Sequence, residues 1–406
     1  MLKNKVITEA NKGIATLLAF SIVPLSGLVT DIYLPSMPHM ATNLGVDESK
    51  IQLTLSFFLI SYGLTQFIAG SIIDALGRFK VTLICLLIFC AASLSIAITS
   101  NINLILAMRI IQGISTGFII VSKRVFFVDV YEGEKRKNLI STMTIVWAAA
   151  PILAPFVGGY LEDYYGWRSN FYVLTGYGLL MFFLELIFSG ESIKKYHALK
   201  IKTTLRTYAD MLRTPDFALG IAMTGISYGL VMMYSMSGPF IIEHEMGYSP
   251  VVAGYVSLLL GAGWMVGGFT SKALLKYRPG NKSFSSLGIQ ILMGVIMAFA
   301  GWLGQDLFSL SVTAFVIHAA AGFIFNIFFT HCLSRFPDYA GISNGITGGG
   351  TYFVTSFLSY SAVAIFQPFA EEYLGYGYLG FSVIGIAALI SWLASMKTKA
   401  ATQPAS

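Results

Sequence analysis

Three charged side chains stand out in this sequence because they lie inside long apolar runs. Asp31, Arg109 and Glu185 are the only formal charges in the interior of these runs, since Lys123 and Arg124 stand at the very end of one. A charge near the centre of a bilayer costs about 2.5–3.5 kcal/mol on insertion scales, so such a residue usually has a function. A buried carboxyl group can take up and release a proton, and a neighbouring arginine offsets the cost of burying its charge. Asp31 and Arg109 are therefore the first candidates for proton chemistry.

The composition indicates the environment of these residues. The 406 residues are 55% hydrophobic and 11% charged, with a mean hydropathy of +0.71. Soluble domains carry about 25% charged residues, so this chain cannot cover a water-facing surface. The composition therefore predicts an integral membrane protein in contact with the lipid bilayer and excludes a large soluble domain. No metal or cofactor is predicted, since Cys85, Cys90 and Cys332 lack disulfide and metal-ligand spacing.

Windows of about 20 apolar residues predict the membrane helices. They lie near 13–35, 51–72, 81–100, 103–124, 139–161, 170–189, 217–242, 251–271, 285–305, 308–330, 342–366 and 375–396. With a cytoplasmic N-terminus, all 26 Lys and Arg except Lys50, Arg109 and Arg168 fall on the inner side. The positive-inside rule therefore predicts that both termini are cytoplasmic. The net charge of +6 follows from this topology and does not indicate nucleic-acid binding.

The chain divides at a basic stretch after the sixth span. We expect an N-terminal six-helix bundle over 1–190, a cytoplasmic basic linker over 191–216, and a C-terminal six-helix bundle with a short tail over 217–406. A faint repeat supports the division, since IYLPSMP (32–38) and SMSGPF (235–240) each end the first span of a half. The sequence predicts an all-α membrane protein with twelve transmembrane helices in two pseudo-symmetric six-helix halves around a central cavity.

Four motifs resemble those of a known family. GSIIDALGRFK (70–80) resembles the loop signature of the major facilitator superfamily, RIIQGISTG (109–117) its arginine motif, and APILAPFVGG (150–159) its antiporter motif. TDIYLPSMP (30–38) is similar to the bicyclomycin- and chloramphenicol-resistance branch of the twelve-span drug/proton antiporter family. The resemblance implies a monomeric carrier, not an enzyme, that exports small lipophilic or drug-like solutes in exchange for protons by alternating access.

The loop at 70–80 also has an interpretation from its residues. Gly70 and Gly77 permit close packing and a tight turn, and Asp74 can face the positive end of a helix dipole. The resemblance implies that this helix is span eleven, so that the loop, including Arg78, would latch one conformation. The alternative is a solvated interfacial cluster of charges.

Asp31 and Arg109 are expected at matched depth. From the predicted ends of spans one and four, both lie roughly 6–9 Å below the outer edge. We expect them to face each other as the proton-coupling pair, since burial favours a neutral carboxyl group and a cation favours its ionised form. A static ion pair that fixes helix packing is the alternative. The second half has no acidic counterpart of Asp31, because the repeat places Ser235 there.

Span five contains the residues that resemble the antiporter motif. Pro151 and Pro155 interrupt the predicted helix, and Gly158 and Gly159 follow them. Proline removes helix hydrogen bonds, and small residues let helices approach closely. The resemblance implies a bend that seals the cavity against leak, whereas ordinary kinked packing is the alternative.

Aromatic and polar side chains within the spans are candidates for the substrate cavity, because aromatic and polarizable groups suit adaptable binding. These candidates are Tyr33, Tyr62, Gln112, Trp147, Tyr234, His318, Lys123 and Arg124. Core or lipid-facing packing is the alternative for each aromatic residue and for His318. Glu185 lies near the inner end of span six and is expected to reach the interface.

Lys123 and Arg124 lie at the inner mouth of span four, where they either anchor the helix or attract an anionic solute. The second interpretation predicts a carrier of a defined anionic metabolite, such as a carboxylate siderophore. A membrane scaffold or sensor is a further alternative that leaves Asp31 and Arg109 unexplained. The sequence lacks an ATPase-type phosphate loop, so the expected energy source is an ion gradient.

Overall fold

The computed structural model describes residues 5–193, 196, 201–274, 276–336, 340–367 and 369–402. Helices dominate this part of the chain. They are α1 (Lys12–Leu44), α2 (Glu48–Leu76), α3 (Arg78–Ile98), α4 (Ile102–Val130), α5 (Gly133–Tyr165), α6 (Arg168–Phe188), α7 (Ile201–Leu212), α8 (Pro215–Glu245), α9 (Pro250–Ala273), α10 (Pro279–Leu303), α11 (Leu307–Ser334), α12 (Ala340–Phe366) and α13 (Glu371–Thr402). Within these ranges the only β pairing is an isolated bridge between Val6 and Glu191.

Ten of the described helices are long and apolar enough to cross a membrane. The exceptions are α5, α7 and α12, of which α5 and α12 cover the spans predicted near 139–161 and 342–366. The first span is longer than predicted, because α1 continues beyond residue 35 to Leu44. The prediction of an all-α membrane protein is confirmed.

Breaks in α1 surround the first candidate residue. Its segments are Lys12–Ile22, Leu25–Asp31, a 3₁₀ turn at Leu34–Ser36, and Met37–Leu44. A proline lies at or next to the start of each of the last three segments, and proline has no N–H with which to continue the preceding helix. Asp31 is therefore the last residue of a helical segment.

The chain forms two compact units, Met1–Lys202 and Thr203–Ser406, and each pairs its helices in the same way. In the first unit, α2 packs on α4, α3 on α6, and α1 on α5. In the second unit, α9 packs on α11, α10 on α13, and α8 on α12. Counted from α1 in the first unit and from α8 in the second, the second helix thus meets the fourth, the third meets the sixth, and the first meets the fifth. This shared order gives the faint sequence repeat a structural basis.

The segment expected to link the halves, 191–216, contains α7 and the start of α8. Its residues 194–195 and 197–200 lie outside the described residues. The cytoplasmic position of this segment stays a prediction.

Candidate functional site

The guanidinium of Arg109 is the centre of a buried polar network in the first unit. On α4, Arg109 is fully buried and donates hydrogen bonds from Nε to the Thr54 carbonyl (3.3 Å) and from Nη1 to the Val29 carbonyl (3.1 Å). Nη1 also donates to Gln112 Oε1 (2.9 Å), and Nη2 donates to Tyr33 Oη (3.3 Å). The last carbonyls of a helix lack partners within it. Arg109 therefore satisfies a carbonyl that the break in α1 leaves free.

Two rings and a second layer of hydrogen bonds fix the position of this guanidinium. Its Cζ lies 4.5 Å from the ring centroid of Tyr33 and 4.6 Å from that of Phe58. Gln112 Nε2 donates to Ser93 Oγ (2.7 Å), so Gln112 connects Arg109 to α3. Tyr62 is buried and stacks on Phe58, with ring centroids 5.8 Å apart. Two of the residues proposed for a cavity, Tyr33 and Gln112, thus contact Arg109, and a third, Tyr62, packs on the Phe58 ring beside it.

Asp31 lies beside this network but is not bonded to it. Its side chain is 3% exposed, and its Oδ2 is buried without a hydrogen-bond partner. Asp31 and Arg109 form no ion pair within 4.0 Å, although Arg109 reaches the carbonyl of Val29, two residues earlier on α1. An ionised carboxyl group without partners is costly to bury. The two candidates are neighbours, but the expected direct contact is not formed in this structure.

The antiporter-motif region of α5 packs against the part of α1 that carries Asp31. A Cβ on Gly158 would lie 1.6 Å from the Ile32 carbonyl oxygen, so the two backbones touch at this glycine. Earlier on both helices, a Cβ on Gly27 of α1 would lie 2.7 Å from Pro151 Cδ of α5. Trp147 Nε1 donates to Ser26 Oγ (3.0 Å). Pro155 and Gly159 are also buried, whereas the bend and the seal stay predictions.

The loop at 70–80 forms a charge cluster within the first unit. Arg78 lies between two carboxylates, with Nη2 3.0 Å from Asp74 Oδ1 and Nε 2.7 Å from Asp129 Oδ2. Glu191 accepts hydrogen bonds from the backbone N–H groups of Arg78 and Phe79, each at 3.1 Å. The carboxylate therefore caps the positive end of the α3 dipole. Sequence analysis did not identify Asp129 or Glu191, since neither stands in a recognised motif and both are distant in sequence from the loop.

The two glycines of this loop differ in their surroundings. Gly77 has a φ of 95°, and a Cβ there would lie 2.6 Å from Glu191 Oε2. The tight turn expected at Gly77 therefore has a physical basis. A Cβ on Gly70 would meet nothing within 4 Å, so the close packing expected there is absent among the described residues.

Lys123 and Glu185 form an ion pair that the sequence did not predict. Lys123 Nζ lies 2.7 Å from Glu185 Oε1, and the two side chains are 6% and 0% exposed. The expected interfacial position of Glu185 is wrong, because its carboxyl group is buried in the first unit. Arg124, the next residue on α4, points elsewhere and donates to Gln66 Oε1 (3.3 Å). Of these two adjacent cations, Lys123 is the more deeply buried.

Two remaining candidates meet in the second unit. His318 is buried, and its Nδ1 lies 2.8 Å from the Ala314 carbonyl, which requires the proton on Nδ1. Its ring packs edge-on against that of Tyr234, with centroids 5.6 Å apart. Whether these residues line a cavity stays a prediction. The described residues contain no group of three His, Cys, Asp or Glu that could hold a metal ion.

Comparison with known proteins identifies relatives over most of the chain. The model of the Major Facilitator Superfamily matches residues 19–358. An uncharacterised MFS-type transporter of Bacillus subtilis (strain 168), YdgK, is 28% identical over 80% of this chain and 82% of its own length. The multidrug resistance protein MdtL of Shewanella sp. (strain ANA-3) is 27% identical over 82% of this chain and 84% of its own.

Solved structures with the same fold are also transporters. A D-xylose–proton symporter matches with a TM-score of 0.72 and 15% identity, over 94% of this chain and 97% of that protein. A point mutant of the nucleoside transporter NupG matches with a TM-score of 0.73 and 15% identity, over 95% and 99%. These likenesses confirm twelve helices in two halves as the fold.

Proposed function

Because the chain belongs to the Major Facilitator Superfamily, a family of small-molecule carriers, we propose that it is a proton-coupled secondary transporter that exports small lipophilic or drug-like solutes. The chain is a multi-pass membrane protein and a transporter. The finer proposal adds a bacterial inner membrane, cytoplasmic termini, a monomeric state and exchange with protons. Identity of 27% to MdtL, a multidrug resistance protein, supports drug-like solutes.

The observation that carries this proposal is the unbonded carboxyl oxygen of Asp31. Oδ2 is buried without a partner next to a fixed cation, so a proton can join it without breaking an existing hydrogen bond. Protonation removes one negative charge from the end of a helical segment, where the backbone is already interrupted. Such a change of charge can bias two conformations that place the residue in different surroundings. We propose that Asp31 carries the coupled proton and that Arg109 sets the local field.

The cluster of Asp74, Arg78 and Asp129 is the proposed conformational latch. Its ion pairs connect the loop at 70–80 to the C-terminal end of α4. A contact that exists in only one conformation stabilises that conformation relative to the other. The partner across the two halves remains an expectation from the family resemblance.

The test of proton coupling uses Asp31→Asn in liposomes. The variant mimics the protonated carboxyl group, so it should still exchange labelled substrate across the membrane at equal pH. It should lose accumulation driven by a pH gradient and substrate-stimulated proton movement. Asp163→Asn, an exposed acid at the end of α5, serves as the control and should keep both. Uphill transport by Asp31→Asn on a proton gradient would exclude Asp31 as the coupling site.

A second candidate function is transport of an anionic metabolite. The buried position of Lys123 favours it, since a cation held only to anchor a helix would be expected at the interface. Lys123 is paired with Glu185, however, so its positive charge is already neutralised and does not attract an anion in this state. Transport assays with matched cationic, neutral and anionic solutes separate the two functions, and exclusive transport of anions would replace the first proposal.

A further inference from the structure

The ion pair of Lys123 and Glu185 has no part in the mechanism proposed above. It lies between α4 and α6, whereas Asp31 lies on α1, and Arg109 donates its hydrogen bonds to α1, α2 and its own helix. Both members are charged residues in apolar helices, where charges are rare and usually functional. The pair therefore needs its own explanation.

The contacts of Glu185 are few for a buried carboxylate. Neither of its oxygens accepts a hydrogen bond of good geometry, so the close approach of Lys123 Nζ is its main support. A buried ion pair is stabilising only when further hydrogen bonds satisfy the remaining oxygens and protons. An ammonium group has three donors, and one carboxyl oxygen occupies one of them. The pair thus has fewer hydrogen bonds than a buried ion pair needs in order to stabilise the fold.

Other charges of the first unit do not substitute for either member. Four cations on α1, before it, on α3 and on α4 are bonded elsewhere. On α1, Lys12 pairs with Glu9, and Lys5 before it donates to the carbonyls of Leu186 and Ile187. Arg78 on α3 pairs with Asp74 and Asp129, and Arg124 on α4 donates to Gln66. At the ends of α3 and α6, Lys80 is exposed and Arg168 donates to the Thr99 carbonyl and to Ser100 Oγ. Besides Glu185, the remaining titratable groups of these helices are the buried thiols of Cys85 and Cys90, the exposed phenol of Tyr172, and the phenol of Tyr177, which donates to the Ser21 carbonyl.

Protonation of Glu185 would leave the ammonium group of Lys123 buried and unpaired. An isolated buried cation is strongly unfavourable, so binding of another anion beside Lys123 is favoured when Glu185 is neutral. The Lys123 side chain is only 6% exposed, so an incoming anion has to displace part of its packing to reach the ammonium group. Binding of an anion and uptake of a proton are then linked.

From this geometry we propose that Lys123 and Glu185 form a proton-gated binding site for a carboxylate or sulfonate. A proton from solvent adds to the Glu185 carboxylate, the contact between Lys123 and Glu185 breaks, and Lys123 donates to the incoming anion instead. One proton enters for each monovalent anion bound, so the net charge of the site does not change. The inference rests on the chain being a carrier, and it assigns an anionic ligand to a site separate from Asp31.

The test measures binding of benzenesulfonate to the purified full-length protein by calorimetry. This anion stays ionised near neutral pH, so any proton taken up belongs to the protein. Titrations in buffers of different ionisation enthalpy count the protons. We expect about one proton per bound anion and an affinity that rises about tenfold for each unit by which the pH falls, as linkage of one proton to one anion requires.

Variants separate the proposed site from other cations. Glu185→Gln imitates the protonated carboxyl group and should bind benzenesulfonate with a pH-independent affinity and no proton uptake. Replacing both residues, Lys123→Met with Glu185→Met, removes the two charges together, so the protein should fold but bind no anion. Lys12→Met, which removes a cation bonded to Glu9, is the control and should bind as the unchanged protein does.

Three results would overturn the proposal. They are no binding by the unchanged protein, binding without proton uptake, and binding that survives in the double variant. The unchanged protein gives a decisive result even if a single variant fails to fold. Asp31→Asn should retain both binding and proton uptake here, so loss of proton-driven transport in that variant tests the coupling proposal alone.

Discussion

Replacement of Gly158 by alanine should separate α5 from the segment of α1 that carries Asp31. The added Cβ would lie 1.6 Å from the Ile32 carbonyl oxygen and 2.7 Å from the carbonyl carbon. A relaxed carbon–oxygen contact needs about 3.3 Å, so the helices must part by about 1.7 Å at this point. Overpacking of this kind costs about 1–3 kcal/mol, and more where backbone faces backbone.

The shift should reach the proposed proton site directly, because Ile32 follows Asp31 and Arg109 bonds to both Val29 and Tyr33. We expect a lower unfolding temperature in detergent and a loss of proton-driven transport of at least about tenfold, which corresponds to about 1.4 kcal/mol in the barrier.

The matched control is Gly176→Ala on α6, where a Cβ meets nothing within 4 Å. There alanine should leave stability unchanged or increase it by up to about 1 kcal/mol, since alanine favours helix over glycine. Fluorescence-monitored unfolding and transport in liposomes measure both variants. Equal behaviour of the two would refute the close backbone contact and its link to Asp31.

Two further predictions concern the charges of the first unit. Arg109→Lys should reduce transport at least tenfold and lower the unfolding temperature, because an ammonium group cannot reach Thr54, Val29, Gln112 and Tyr33 together. Each lost bond to a charge costs about 1.5–3 kcal/mol. Arg168→Lys, at the N-terminal end of α6, is the control. Asp129→Asn should destabilise the protein by about 1–2 kcal/mol. The Asp74 side chain is 40% exposed, so Asp74→Asn should cost at most about 1 kcal/mol and mainly alter the rate of conformational exchange. Equal unfolding temperatures for the two variants would argue against Asp129 as the principal partner of Arg78.

The sequence predicted the helices well because a membrane span leaves a simple signal. About 20 apolar residues between polar ends predict a crossing, whatever the helix contacts. The end of α1 was less predictable, since the run past residue 35 contains Pro35 and Pro38, which usually mark a boundary. The structure continues through both prolines with a 3₁₀ turn and a new segment, Met37–Leu44.

The sequence predicted which residues belong to the candidate site but not which hydrogen bonds and ion pairs they form. Burial of Asp31 and Arg109 follows from their position in apolar runs, and the glycine at 158 follows from the motif. The partners of Arg109 include the backbone carbonyls of Thr54 and Val29, which leave no trace in side-chain identity. The pairing of Lys123 with Glu185 joins two helices far apart in sequence, and its geometry emerges only when both are packed.

The absence of a direct bond between Asp31 and Arg109 changes how coupling would work. If Asp31 were the only partner of Arg109, its protonation would leave the guanidinium buried without support. Neutral acceptors on α1, α2 and α4 bond this guanidinium instead, and none of them changes charge with pH near neutrality. Arg109 can therefore keep its place whether Asp31 is protonated or ionised. The free-energy difference between the protonated and the ionised form of Asp31 then depends mainly on the surroundings of Asp31 itself and of the helical segment of α1 that ends there. We infer that this break, more than the guanidinium, is the part that responds to the proton.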